Sequence, residues 1–252
     1  MLHNILLFEK ESISGSTLKI VALVCMLFDH VGAALMEPYV ISDGASDELL
    51  IVYTFFRFLI GRAAFPIFCF LLVEGFCHTS NARRYAIRLA AFAVLSEIPF
   101  DLALIGPALE LSHQNVYFTL LLGVLAMAGY QEVEKRIAND KEQIGWKLII
   151  MGFTMLIADL ARTDYGSVGI LTISVLYFLK AKREKQLLGG AAAIAAGSLV
   201  IQGNIGELTA PIGFAICRMY NGKRGLSLKY LFYIFYPAHL LLLSLVKEGI
   251  LT

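Results

Sequence analysis

The stretch Thr17–Met36, TLKIVALVCMLFDHVGAALM, decides the fold class. At about 1.5 Å of rise per residue, a helix of ~20 residues spans the ~30 Å hydrocarbon core of a bilayer. Only Lys19 near its start and the pair Asp29–His30 interrupt the apolar run. The same texture recurs along the chain near residues 51–76, 87–105, 115–130, 146–161, 167–179, 187–203, 208–220 and 230–246. Of the 252 residues, 58% are hydrophobic and 16% charged, against roughly 45–50% and ~25% in soluble domains. No stretch alternates with period two over the length of a membrane strand, so helices are the way this backbone is satisfied in lipid. The expected fold is an all-α, polytopic transmembrane helix bundle of about nine spans, a single integral membrane domain over residues 1–252.

A net charge of +1 excludes a chain that holds nucleic acid by bulk charge, and the cations are unevenly placed. With the N-terminus inside, seventeen of the 21 lysines and arginines fall in cytoplasmic tracts: Lys10, Lys19, Arg83, Arg84, Arg88, and those within 135–147, 180–185 and 218–229. Arg162 and Lys247 fall outside, with the acids Glu37, Asp43, Asp47, Glu48 and Glu110. The positive-inside rule then gives an N-in, C-out topology. The first span lacks a small-residue cleavage site and is too long for a signal-peptide core, so it reads as a retained helix. Cys25, Cys69, Cys77 and Cys217 lie in spans or on the cytoplasmic side and imply no oxidised framework. Gly189, Ala193 and Gly197, four apart, form a close-packing seam for a neighbouring helix or a second copy.

The polar residues inside the spans are the functional signal: Asp29, His30, Arg57, Arg62, Glu97, Asp101, Asp159 and His239. A lone charge at the bilayer centre costs ~2.5–3.5 kcal/mol on insertion scales. The six carboxylates and guanidiniums must therefore face inward and find one another. Glu97 and Asp101, four apart, share a helix face. Pro66 and Pro237 free the carbonyls of Arg62 and Tyr233. These residues predict one polar cavity open to, or just beneath, the outer surface, with Asn115 and Asp164 at its rim. Glu74 and His78 read as interfacial; His3 and His113 lie in loops and carry no signal. Arg83, Arg84 and Arg88 satisfy the positive-inside rule, with phosphate binding at the start of a helix as the other use.

Five segments then carry a resemblance: Leu18–Gly32 (LKIVALVCMLFDHVG), Arg57–Gly75 (RFLIGRAAFPIFCFLLVEG), Ser96–Asp101 (SEIPFD), Gln114–Asn115 and Tyr236–His239 (YPAH). In this order and at this spacing they resemble the TraX family. A member of that family is linked to N-terminal acetylation of conjugative pilin. The family also resembles polytopic acyltransferases that carry acetyl from cytosolic acetyl-CoA to an acceptor beyond the membrane. The resemblance implies a bacterial cytoplasmic-membrane acyltransferase with acetyl-CoA as donor and a pilin-like peptide, glycan or small amine as acceptor.

Acetyl transfer needs a base for the acceptor proton, a stabiliser for the tetrahedral oxyanion, and a passage for the donor. His30 is the expected base, because imidazole titrates near neutrality. Adjacent helical residues diverge by about 100°, so Asp29 is expected to pair with Arg57 or Arg62 while Glu97 or Asp101 reaches His30 across helices. Arg62 or Arg57 is the expected electrostatic partner. Asn115, Asp159 and His239 are expected at the acceptor or acyl group, and Arg83 and Arg84 at the donor phosphates. The other readings are a proton-coupled secondary transporter and a non-catalytic scaffold locked by ion pairs. Intramembrane acids, histidines and broken helices suit ion relays, but the chain has no second copy of FDHVG, GRAAFP or SEIPFD. A metal site is not expected, since no HxxxH or HxxE spacing links the intramembrane histidines to further ligands.

Overall fold

The computed structural model describes residues 12–42, 45–227 and 229–251. His3, Lys10 and Asp43 lie outside the described residues. Among these residues the chain forms nine helical rods and no strand, only two isolated bridges. The rods are α1 (Gly15–Ile41), α2 (Asp47–Cys77), α3 (82–105), α4 (Val116–Arg136), α5 (Asp140–Leu160), α6 (Gly166–Phe178), α7 (183–202), α8 (Ile205–Cys217) and α9 (Lys229–Leu251). Five of them, α1, α2, α4, α5 and α9, are long and apolar enough to cross a membrane. In α3 the run is diluted by Arg83, Arg84, Arg88, Glu97 and Asp101, whereas α6 and α8 are apolar but short.

Short polar side chains start these helices, as free backbone N–H groups require. Ser14 caps α1, Ser46 α2, Asn81 α3, Asn115 α4 and Asn139 α5. The core lies where α1, α2, α4 and α6 meet, with α9 laid between α1 and α3. Helix α5 is outermost: only 11% of its apolar window is buried, and Phe153, Leu156 and Leu160 stand exposed. An unsheltered band of this kind needs lipid rather than water against it.

The connections gather at two ends. Ile13 pairs with Tyr220 and the Gly15 N–H donates to the Lys223 carbonyl, so the start of α1 meets the α8–α9 loop. Arg183 joins this end through Glu74 at 3.6 Å; here it is termed the basic end. At the opposite end Gln114 pairs with Thr163, and the Gln202 amide donates to the Tyr165 carbonyl. The seam around Ala193 and Gly197 is buried, with α7 packed on α6, which makes it an internal contact.

Four rods contain a widened, π-type turn among the described residues: 32–36, 55–60, 101–105 and 198–202. The second carries Arg57, the third begins at Asp101, and the first directly follows Asp29, His30 and Val31. Such turns are rare and tend to mark functional positions. In α2 the wide turn runs into a tight one at Gly61–Ala63, just ahead of Pro66, where the missing proline N–H relieves the helical bond to Arg62.

Candidate functional site

His30 in α1 and His239 in α9, 209 residues apart in sequence, meet inside the bundle. His30 Nδ1 lies 2.6 Å from His239 Nε2. The rings are parallel within 3°, and only 8% and 5% of the two residues is exposed. The partners fix the tautomers. His239 Nδ1 is 2.7 Å from the Phe235 carbonyl, which can only accept, so His239 carries its proton on Nδ1. Its Nε2 therefore accepts, His30 Nδ1–H donates, and the neutral His30 keeps a lone pair on Nε2. The result is a relay from carbonyl to imidazole to imidazole, ending in a base. Tyr236 packs edge-on against both rings with centroids at 5.8 Å.

This pair corrects the expectation that Glu97 or Asp101 orients His30. Glu97 is bound to the Asn115 side-chain amide and faces its backbone N–H at 3.4 Å, while Asn115 also donates to the Ala93 carbonyl. Asp101, wholly buried, accepts the Glu110 N–H at 2.9 Å. Both carboxylates thus fold the 106–115 loop back onto α3. Loop N–H groups were open donors nearby and each acid takes them with one oxygen, while Glu97 Oε1 and Asp101 Oδ1 stay buried without a partner.

Asp29 meets Arg57 at 2.8 Å, and the same guanidinium reaches Glu37 at 3.4 Å. This contact depends on glycine. A Cβ on Gly61 would lie 2.7 Å from the Asp29 Cβ, and one on Gly32 would lie 2.8 Å from Arg57 Cγ. Arg62 pairs with Glu207 at 2.8 Å and lies near the Tyr165 side chain. Tyr165 itself holds a left-handed backbone (φ 63°) and stacks on Phe65. Asp164, in the α5–α6 loop, feels Arg62, Asp29 and Arg57; burial is the main cause that pushes its carboxyl up to about 6. Arg57 and Arg62 also lie close enough to act electrostatically on His30. One oxygen each of Asp29 and Glu207, and the Nε of both arginines, are buried without a partner. Orphaned buried polar atoms of this kind call for a water or a ligand.

Glu207, Tyr165 and Glu37 are therefore part of the charged network, although sequence reasoning did not select them. Four intramembrane acids against two arginines read as a surplus of acid, and that count gave no sign that Arg62 would take Glu207. Asp159, expected near the acceptor, instead lies exposed and accepts the Ser167 N–H at 2.7 Å, fixing the start of α6. A carboxylate there suits the positive end of the helix.

A cavity leads inward from the basic end. It encloses about 550 Å³ and runs from Gly222, Arg224, Lys19 and Thr79 down to Tyr117 and Tyr236. Leu23, Met26, Phe68 and Leu120 supply its apolar wall. Arg83 and Arg84 are exposed and do not line the cavity; Arg88, one turn further along α3, does. Among the described residues, no group of three or more His, Cys, Asp or Glu converges as a metal site.

A helical membrane protein with a buried histidine pair packed behind Tyr236, a residue of the cavity wall, is the class that this fold and site define. The TraX protein family model matches residues 14–247, and the chain belongs to that family. It is 28% identical over 259 residues to a protein of Dichelobacter nodosus described as "Probable fimbrial assembly protein FimC, serogroup H1", covering 93% of this chain and 96% of the relative. No solved structure matches.

Proposed function

We propose that this chain is an acyltransferase of the bacterial cytoplasmic membrane. It takes acetyl from cytosolic acetyl-CoA and gives it to an amine or hydroxyl acceptor presented at the outer face. The single observation that carries the reading is the His30–His239 contact, which leaves a neutral imidazole nitrogen as a base inside the bundle. In the N-in topology the basic end is cytoplasmic, so the cavity brings a cytosolic donor as far as Tyr236, whose ring packs on both histidines. His30 lies about 22 Å along α1 from Gly15 at helical rise, beyond the halfway depth of a bilayer.

In the reaction the acceptor nitrogen or oxygen attacks the thioester carbonyl while its proton passes to His30 Nε2. The imidazolium so formed is held through Nδ1–H by His239, whose own proton rests on the Phe235 carbonyl. Tyr236 O–H, at the cavity floor, and the positive field of Arg57 and Arg62 oppose the charge on the tetrahedral oxyanion. Collapse breaks the C–S bond, and the leaving thiolate takes the proton back from His30. The name of the Dichelobacter relative favours a pilin-like peptide as the acceptor.

The test is purified protein with radiolabelled acetyl-CoA and a peptide bearing a free N-terminus. H30A is expected to abolish label transfer while the protein still elutes as a folded species. Unchanged transfer in H30A, or solute uptake driven by a pH gradient without any thioester, would overturn the reading.

A further inference from the structure

Three cations around the cavity have no carboxylate to answer them. Lys19, Arg88 and Arg224 all line it, and none forms an ion pair among the described residues. Lys19 and Arg224 are near enough to repel each other. The Nε of Arg88 is buried without a hydrogen-bond partner. Two of the charged heads lie over rings instead: Lys19 Nζ sits 5.1 Å from the Phe232 centroid, and the Arg88 guanidinium 5.6 Å from that of Tyr85. The acid in the lining, Glu74, is occupied by Arg183 from another helix.

Like charges brought together beside a low-dielectric wall cost free energy unless an anion neutralises them. Among the described residues Glu74 is the one acid in the lining and it is already paired, so the three cations at this opening face no free carboxylate across the cavity. We infer that Lys19, Arg88 and Arg224 form a binding site for the phosphates of a ligand whose uncharged arm extends down the apolar cavity toward Tyr236. Three donors at one mouth suit a head with more than one phosphate oxygen cluster, and a narrow apolar wall suits a flexible chain. A volume near 550 Å³ is in the range of small-molecule sites. The use of the site as the anchor of the acyl donor rests on the acyl-transfer reading; anion binding itself does not. The shared chemistry is a phosphate head on an uncharged, flexible arm, and both coenzyme A and an anionic phospholipid offer it.

The experiment measures binding, not turnover. Wild type, K19Q, R88Q, R224Q and the double variant K19Q/R224Q are titrated in neutral detergent with coenzyme A, and in parallel with short-chain phosphatidic acid. Each charge removed is expected to weaken binding by about tenfold, and added salt to weaken it further. R83Q/R84Q is expected to bind as wild type does. Coenzyme A binding that falls in this way supports the site and names the donor; phosphatidic acid binding that alone falls supports the site and names a lipid. Binding of both ligands unchanged in K19Q/R224Q, or absent in wild type, overturns it. R224Q, at an exposed loop position, keeps the test valid if R88Q fails to fold. H30A is expected to bind normally, so loss of turnover and loss of the anion site are separately visible.

Discussion

The Gly61 Cα faces Asp29 so closely that an added methyl would fall 2.7 Å from both the Asp29 Cβ and Oδ1. Helices α1 and α2 touch there, and the Asp29–Arg57 ion pair lies beside the contact. Because backbone and side chain rather than a flexible tip occupy the space, the helices must separate to admit a Cβ. G61A is expected to cost about 1–3 kcal/mol, the range of overpacked cores, and to lower the melting temperature in detergent. An unchanged melting temperature would mean that α1 and α2 are not packed at this point.

Arg62 and Glu207 are 14% and 4% exposed, so neither charge is well hydrated. Removing one partner from a buried pair costs about 3–5 kcal/mol, whereas replacing both with apolar groups is often neutral. E207A is therefore expected to reduce folded yield sharply, and the double variant R62M/E207L to recover much of it. Thermal melts of the three proteins check this. Recovery of yield without recovery of acetyl transfer would separate the electrostatic role of Arg62 from its structural one.

His239 touches His30 and acts through it, so it is a positioning residue. H239A is expected to lower kcat by about 100-fold, a usual size for impaired acid–base catalysis, with little change in KM for the donor. H239Q can still accept from His30 Nδ1–H through its amide oxygen and is expected to recover part of kcat. Equal losses in H239A and H239Q, together with a raised donor KM, would indicate a packing role instead.

Asp164 carries a carboxyl raised to about 6, chiefly by burial, so the folded protein holds its proton more tightly than the unfolded chain does. The contribution to stability is therefore full below the unfolded value near ~3.9 and is lost as pH rises through about 6. D164N cannot ionise. Relative to wild type, it is expected to gain several degrees of melting temperature between pH 4.5 and 6.5 and to hold that gain at higher pH. A difference between the two proteins that does not vary with pH would refute the assignment.

The helices were readable because the apolar runs are nearly continuous, and Gly15–Ile41 brackets the stretch first read as a span. Charge arithmetic also foresaw that Asp29 would need an arginine. Glu207 escaped because it sits at the lip of an apolar run beginning at 208, where an acid looks like part of a loop. Periodicity placed Glu97 and Asp101 on one face but said nothing of the loop that folds back on them. The His30–His239 contact spans 209 residues, and no local pattern encodes which ring meets which. Arg88 shares the face of Arg84 and differs from it by depth: one turn further along α3 it reaches the cavity wall, which a count of basic residues does not show.

The wide turn at 55–60 holds one residue more than ordinary winding would need for the same advance. Excising a single residue from it would not snap the rod. It would let the coil relax to regular pitch with the segments on either side keeping their bearing, and would re-aim the side chains inside the turn, carrying the Arg57 guanidinium away from Asp29 while leaving Arg62 in place. The bearing of this side chain is thus stored as a surplus link in the chain, and length changes of one residue here should be far more damaging to activity than to helicity.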